Sequence, residues 1–276
     1  MRIRMVDAFT DRPFAGNPAG VLLLDAGGFP ADGWLQQVAA ELNLSETAFA
    51  HPVPGGGVEG AGEYALRWFT PTAEVGLCGH ATLATAHVLR TTGAASGPVR
   101  FYSRAGVLTA TTAGDGTVTL DFPAAPLSPA EPPEGLAAML GAEPLTVLDT
   151  GPDCGDLLVE VADEAAVRAL APDFAGLARV SRRGVIATAA AADPGAGYDF
   201  VSRGFFPSVG IDEDPVTGSA HTALAPFWAE RLGRTELTGY QASARGGFVR
   251  TRLRGDRVEL SGSAVTVIDG ELHAVP

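Results

Sequence analysis

Two stretches of this 276-residue chain place chemistry-bearing side chains at the start of small-residue helices. The first, EVGLCGHATLATAH (Glu74–His87), sets His80 directly after Gly79, with Cys78 just upstream. The second, EDPVTGSAHTALA (Glu213–Ala225), sets Ser219 directly after Gly218, with Asp214 shortly before it. The first N–H groups of a helix have no intrahelical partner and carry partial positive charge. A glycine there lets a ligand approach the backbone closely. Two such helix starts aimed at one cleft would hold a carboxylate or an enolate-like anion without Lys or Arg. Close helix–strand packing is the other use of a lone glycine at a helix start. The polar neighbours shared by both stretches favour the anion.

The two stretches read as copies of one unit. FTPTAEVGLCGHATLATAH and FFPSVGIDEDPVTGSAHTALA each follow a strand and lead into a helix, pairing Pro71 with Pro207 and His80 with Ser219. Gly79 then pairs with Gly218 after a three-residue insertion. Around the first copy, strands are predicted at Ile3–Phe9, at Ala19–Asp25, from SETAFAHPV and at Glu63–Thr70. An amphipathic helix is predicted at Ala31–Asn43 with Asp32 as N-cap, and a second over about Ala81–Leu89. A meander with a Gly-Asp-Gly turn near Asp115 follows. Ala124–Gly135 is rich in Pro and Ala without an apolar period, and reads as a linker. The second half repeats the pattern: short strands, a helix near Asp163–Leu170, a strand at Tyr198–Ser202, a helix from Gly218 to Leu232, and antiparallel strand over residues 247–275. The expectation is two α+β halves, residues 1–123 and 124–276, with the last strand packing back on the first half.

Bulk properties narrow the function. A hydrophobic content of 46% fits a globular core. A net charge of −13, with Lys and Arg totalling 19, argues against a nucleic-acid partner, since phosphate backbones need basic patches. No apolar run approaches the roughly 18 residues of a membrane span. The start, MRIRMVDAF, lacks the apolar core region of a signal peptide. The two cysteines, Cys78 and Cys154, make neither a disulfide framework nor a structural zinc site, so a reducing cytoplasm is the expected location. His80 and His87 lie two helical turns apart, but no Asp, Glu or Cys reads as a companion ligand, and no metal site is predicted. Arg245 reads as a turn residue.

Four motifs in order carry a family resemblance: VDAFTDRPFAGNPAGV (Val6–Val21), NLSETAF (Asn43–Phe49), RWFTPTAEVGLCGHATLA (Arg67–Ala84) and FFPSVGIDEDPVTGSAHTALAPFW (Phe205–Trp228). With them the chain resembles the PhzF-like, phenazine biosynthesis-like isomerases, which share the diaminopimelate epimerase fold. The resemblance implies an α+β fold of two pseudo-symmetric halves, each a barrel-like, mostly antiparallel sheet around a central helix. It implies a cofactor-independent isomerase that is often a homodimer. The family's catalytic glutamate in LSET falls on Glu46, its histidine in GHAT on His80, its aspartate in EDPxTGS on Asp214 and the following serine on Ser219. Gly79 and Gly218 become substrate-binding backbone positions. Asn17, in AGNPAG, occupies the place where related epimerases use an asparagine side-chain donor.

Moving a proton off carbon needs a base beside the C–H and stabilisation of the carbanion. A carboxylate suits the first task where burial lifts its pKa toward neutrality, and Glu46 precedes an apolar strand. The same group can return the proton at another carbon of a small carboxylated substrate, which is isomerisation. His80 and Asp214 are both candidates for a second proton carrier. Each residue also has a plainer use: Glu46 as a surface charge, His80 bonding its own backbone, Asp214 and Asn17 as turn residues before prolines, Ser219 as a helix cap. An amino-acid epimerase or racemase is the rival enzyme. Related ones use a thiol from each half, whereas here only Cys78 sits in a motif, so it reads as a packing residue. An inactive homologue that binds small anions is the non-enzymatic alternative.

Overall fold

Parallel strand pairs need a long crossover, and this chain repeatedly supplies a helix for the purpose. The computed structural model describes residues 1–25, 27–53, 62–274 and 276; the end of the predicted C-terminal strand stretch, position 275, lies outside them. Two units form, residues 1–121 with 261–276, and residues 122–260.

The first unit begins with β1 (Arg2–Ala8), β2 (Asn17–Leu23), α1 (Asp32–Leu42), β3 (Glu46–Pro52) and β4 (Gly62–Phe69). It continues through β5 (Glu74–Val75), α2 (Gly79–Thr91), β6 (Val99–Ser103) and β7 (Gly106–Thr112), and β8 (Val118–Pro123) leads out of it. β1 and β2 are antiparallel, β2 and β3 parallel across α1, β3 and β4 antiparallel, and β4 and β6 parallel across α2. In the second unit come β9 (Ser128–Pro129), α3 (Leu136–Leu140), β10 (Thr146–Asp149), α4 (Gly151–Cys154), β11 (Asp156–Glu160), α5 (Glu164–Ala169) and α6 (Phe174–Val180). They are followed by β12 (Gly184–Ala190), β13 (Phe200–Phe206), β14 (Ile211–Asp214), α7 (Gly218–Leu232), β15 (Glu236–Gln241) and β16 (Gly247–Arg254). Its pairing repeats that of the first: β10 with β11 antiparallel, β11 with β12 parallel, β12 with β13 antiparallel, β13 with β15 parallel. After β17 (Arg257–Gly262), β18 (Ala264–Glu271) joins the first unit antiparallel to β1. The fold is the expected α+β one, two halves with the same succession of strand pairings.

Each half is built around its glycine-led helix. A helix apolar all round must be buried all round. In α2 the residues from His80 to Ala86, with Val88 and Leu89, are buried, and the helix packs on β1, β2, β3, β7 and β18. The hydroxyls this buries bond back along the helix, Thr82 to the Cys78 carbonyl at 2.6 Å and Thr85 to that of Ala81 at 2.7 Å. In the second unit α7 packs on β15 and β16, with Phe200 and Trp228 stacked at 5.8 Å.

Several local expectations are corrected. α2 begins at Gly79, not Ala81, and runs on to Thr91. Ala31, not Asp32, caps α1; the Asp32 carboxylate pairs with Arg67 at 2.8 Å instead. The strand predicted at Tyr198–Ser202 is Phe200–Phe206, because the Asp199 carboxylate turns aside to accept from Thr238 N, while the following apolar run is buried. The linker stretch contains β9, paired with β10.

One device marks the duplication in side chains. In the first unit Arg67 on β4 makes a bidentate pair with Glu74 on β5, at 2.8 and 2.7 Å. In the second, Arg203 on β13 does the same to Glu213 on β14, at 2.7 and 2.8 Å. Each guanidinium also lies over the phenylalanine two residues on, Phe69 at 5.1 Å and Phe205 at 5.0 Å. Both pairs brace the short segment entering the glycine-led helix, and both are largely shielded from water. Such bidentate pairs couple strongly. In urea unfolding at neutral pH, the summed destabilisation of Arg203→Met and Glu213→Leu is expected to exceed that of the double variant by about 1–3 kcal/mol. Simple additivity would show that the brace contributes nothing.

Candidate functional site

In the first unit the starts of β2, β3 and α2 converge. Gly16 has φ +65°, and a Cβ there would lie 2.1 Å from the Ala8 carbonyl oxygen, so this turn admits only glycine. It delivers Asn17, fully buried, to the first position of β2. Glu46 opens β3 opposite Ala19, and His80 is the second residue of α2. The side chains meet: Asn17 Nδ2 is 3.2 Å from His80 Nδ1, and His80 Nε2 is 3.3 Å from Glu46 Oε2. Ser45 Oγ donates to Asn17 Oδ1 at 3.2 Å, which orients the amide so that its NH₂ faces the imidazole. An amide donor at Nδ1 leaves the ring proton on Nε2, the nitrogen nearer the Glu46 carboxylate. The glutamate is 12% exposed and the histidine 5%, so the pair is shielded yet reachable. A shielded carboxylate beside an imidazole nitrogen is suited to take a proton.

Cys78 belongs to the same cluster. Its buried Sγ is 3.5 Å from His80 Nδ1, so it is more than packing. Ligand atoms of Glu46, Cys78 and His80 lie within 4.8 Å of one another, a mixed O, S and N set that a zinc ion would accept. The expectation that no Glu or Cys accompanies the histidines is therefore corrected for His80. Glu46 arrives from a different strand, beyond any local spacing. His87 is elsewhere engaged, its Nε2 3.1 Å from Thr266 Oγ1.

In the second unit Asp214 ends β14, and its Oδ2 accepts a short bond from Thr217 Oγ1. Gln241, buried on β15, locks this entry: its Oε1 accepts from Thr217 N at 2.8 Å and its Nε2 donates to Asp214 O at 2.7 Å and Thr217 Oγ1 at 3.1 Å. Gly218 and Ser219 are the first two residues of α7, after Thr217 as N-cap. Ser219 is thus not the cap; its Oγ accepts from Arg183 Nη2 at 2.9 Å. Arg183 Nη1 also donates to Asp156 Oδ2 at 2.7 Å. Burial pushes the Asp156 carboxyl up to about 6, against the pull of Arg183. Sequence reasoning missed Gln241, Arg183 and Asp156, which lie outside any motif.

The geometry joins Asn17, Glu46 and His80 in one unit, with Gly79 opening α2, and Asp214, Gly218 and Ser219 in the other. A family model described as phenazine biosynthesis-like protein, PhzC-PhzF, matches residues 6–270. The chain is 49% identical to an uncharacterized isomerase of Pseudomonas aeruginosa, covering 99% of each. It is 46% identical to another from Halalkalibacterium halodurans, over 98% of this chain and 97% of that one. Among solved structures, a phenazine biosynthesis protein of the PhzF family from Enterococcus faecalis superimposes with a TM-score of 0.89 at 38% identity, covering 99% of both chains.

His221 has a different character. It is fully buried beside Phe200, with Nδ1 donating to the Thr217 carbonyl at 2.8 Å, and burial pulls its pKa down to about 4. The unfolded chain, with an ordinary histidine, binds this proton near pH 6.5, so stability is lost as pH falls from there toward 4. Asp156, raised to about 6, acts oppositely, its contribution lost as pH rises through 6. A comparison of wild type with His221→Gln cancels the aspartate. Between pH 7 and 4.5, urea unfolding is expected to show the wild type losing about 2–3 kcal/mol more than the variant. Equal acid sensitivity would mean His221 is already charged in the native state.

Proposed function

The chain belongs to the phenazine biosynthesis-like (PhzC-PhzF) family, and from that premise we propose that it is an isomerase moving a proton between carbons of a small carboxylated substrate, with Glu46 as the acid–base group. The observation that carries this reading is the contact of His80 Nε2 with Glu46 Oε2 at 3.3 Å, at the end of the chain from Ser45 through Asn17. The Glu46 carboxylate takes a proton from a C–H bond next to a C=C bond of the substrate, and the electron pair left on carbon delocalises through that double bond to a second carbon, in conjugation with the substrate's carboxylate. The protonated glutamate then gives the proton to a second carbon, and the double bond shifts. His80 steadies the carboxylate before the transfer; His80 or Asp214 serves as the second proton carrier. Asn17, Ser219 and the backbone at Gly79 and Gly218 hold the anionic part of the substrate. The reading includes cofactor independence and a cytoplasmic homodimer.

A second reading, an epimerase or racemase, is favoured by Cys78 Sγ lying 3.5 Å from His80 Nδ1, since a thiol there is placed to exchange a proton. One experiment separates the two. Wild type, Glu46→Gln and Cys78→Ala are incubated in deuterium oxide with a panel of small carboxylates, and mass spectrometry follows deuterium entering carbon. Under the first reading exchange falls by about 10²–10⁴ in Glu46→Gln and stays within about tenfold in Cys78→Ala. It survives exhaustive treatment with a chelator. The reverse ranking of the variants moves the chemistry to the thiol. Loss of exchange on chelation, with recovery on adding zinc, would overturn the metal-free mechanism. Carboxylate binding without exchange across the panel would favour an anion-binding homologue.

A further inference from the structure

The repeat gives the second unit a counterpart to the strand start that carries Glu46. In the first unit Thr47 of β3 pairs with Phe69 of β4; in the second Val185 of β12 pairs with Phe205 of β13. Phe69 and Phe205 are matched by the Arg–Glu brace of each unit. The start of β12, Arg183-Gly184, therefore stands where Ser45-Glu46 stands at the start of β3. His80 and Ser219 are each the second residue of the adjoining helix. Gly184 takes the place of Glu46 and carries no side chain, and Arg183, at the place of Ser45, reaches the second helix residue instead, contacting Ser219 at 2.9 Å where Glu46 contacts His80 at 3.3 Å. A base occupies one copy and a cation the other.

The cation is built in rather than free on the surface. A Cβ on Gly184 would come 2.1 Å from Phe206 Cδ1, so the strand carrying Arg183 runs tightly against the end of β13. The Arg183 backbone N–H donates to Gly155 O at 3.0 Å, and its guanidinium lies 4.7 Å from the Phe206 ring. Its Nη1 donates to Asp156 Oδ2 at 2.7 Å and to Cys154 O at 3.3 Å, and its Nη2 to Ser219 Oγ. A guanidinium has five N–H donors. Nε–H and the second Nη2 hydrogen have no acceptor among the described residues, although a third of the side chain is exposed. Ser219 Oγ, already an acceptor, has no acceptor for its own hydrogen among the described residues. Asp156 is fully buried, its Oδ1 has no hydrogen-bond partner among the described residues, and its Oδ2 holds the arginine. Two guanidinium donors and a hydroxyl donor remain beside the α7 start. That set matches a planar, two-oxygen anion.

We infer that Arg183, with Ser219 Oγ, binds the carboxylate of the substrate, and that Asp156 positions the guanidinium for it. This rests on the proposed isomerase reading for the word substrate; the carboxylate site itself does not. In a chain of net charge −13, a local fork of this kind supplies the attraction that the overall charge does not.

The test is equilibrium binding of benzoate, a planar carboxylate that cannot be turned over, to the full chain by calorimetry. Wild type and Glu46→Gln are expected to bind alike. Arg183→Gln should weaken binding about 10–100-fold, Arg183→Lys should restore part of it, and Ser219→Ala should cost a smaller factor. Arg183→Gln strands a buried carboxylate and is at risk of misfolding; Asp156→Asn/Arg183→Gln removes that charge and should show the same loss. Benzoate binding undiminished in the folded double variant, or absent from wild type, overturns the inference. Because the readout needs no turnover, failure of the deuterium experiment with loss of benzoate binding in Arg183→Gln would sink the isomerase and keep this site. Deuterium exchange dependent on Glu46, with benzoate binding indifferent to Arg183, would do the opposite.

Discussion

The His80 imidazole ties three element starts together. One nitrogen meets the first residue of β2 and the other the first residue of β3, while its own backbone opens α2. For that to happen the chain must turn sharply before Asn17, which Gly16 permits, and α2 must come close to the strands, which its Gly, Ala and Thr side chains permit. The polar groups so buried are arranged in sequence, hydroxyl to amide to imidazole to carboxylate. Buried polar chains of this sort specify one arrangement when each member is satisfied. In the proposed mechanism Glu46 stands at the acceptor end of this chain, which suits it to serve as the base.

The two units use one frame for different chemistry. The Arg–Glu brace and its underlying phenylalanine are kept in both, because they hold the entry to the central helix. The helix residue bonding the cap carbonyl is also kept in role but changed in kind: Thr82 bonds Cys78 O, and His221 bonds Thr217 O. What differs is the group facing the second residue of each helix, a carboxylate toward an imidazole in one and a guanidinium toward a hydroxyl in the other. Duplication conserves what positions the site and leaves its reacting groups to diverge.

Much of this was legible in the sequence. α7 is legible at Gly218–Leu232 because a glycine opens it, and in the structure Gly233, at φ +64°, closes it. The repeat was visible because Pro71 with Pro207 and Gly79 with Gly218 sit at matching places. The meeting of Glu46 with His80 was not a local signal; the residues are far apart in sequence, and the family motif alone pointed to Glu46. Gln241 and Arg183 stayed invisible because each acts from a strand edge with no spacing to announce it. The short helices α3 and α4 are too brief for a helical period to register. The ends of α2 blurred for the opposite reason: a helix buried on every side has no polar face to mark its limits.

The protonation of His80 is the point at which the account is most directly exposed. Long-range proton–nitrogen correlation on protein labelled with ¹⁵N-histidine distinguishes the two neutral tautomers and the imidazolium. The Asn17 contact predicts the ring proton on Nε2 with Nδ1 bare, an arrangement that shifts when Asn17 is replaced by aspartate. A proton on Nδ1 in the wild type, directed at the Cys78 sulfur with Nε2 bare, would contradict it and place the acid–base chemistry on the thiol side of the ring.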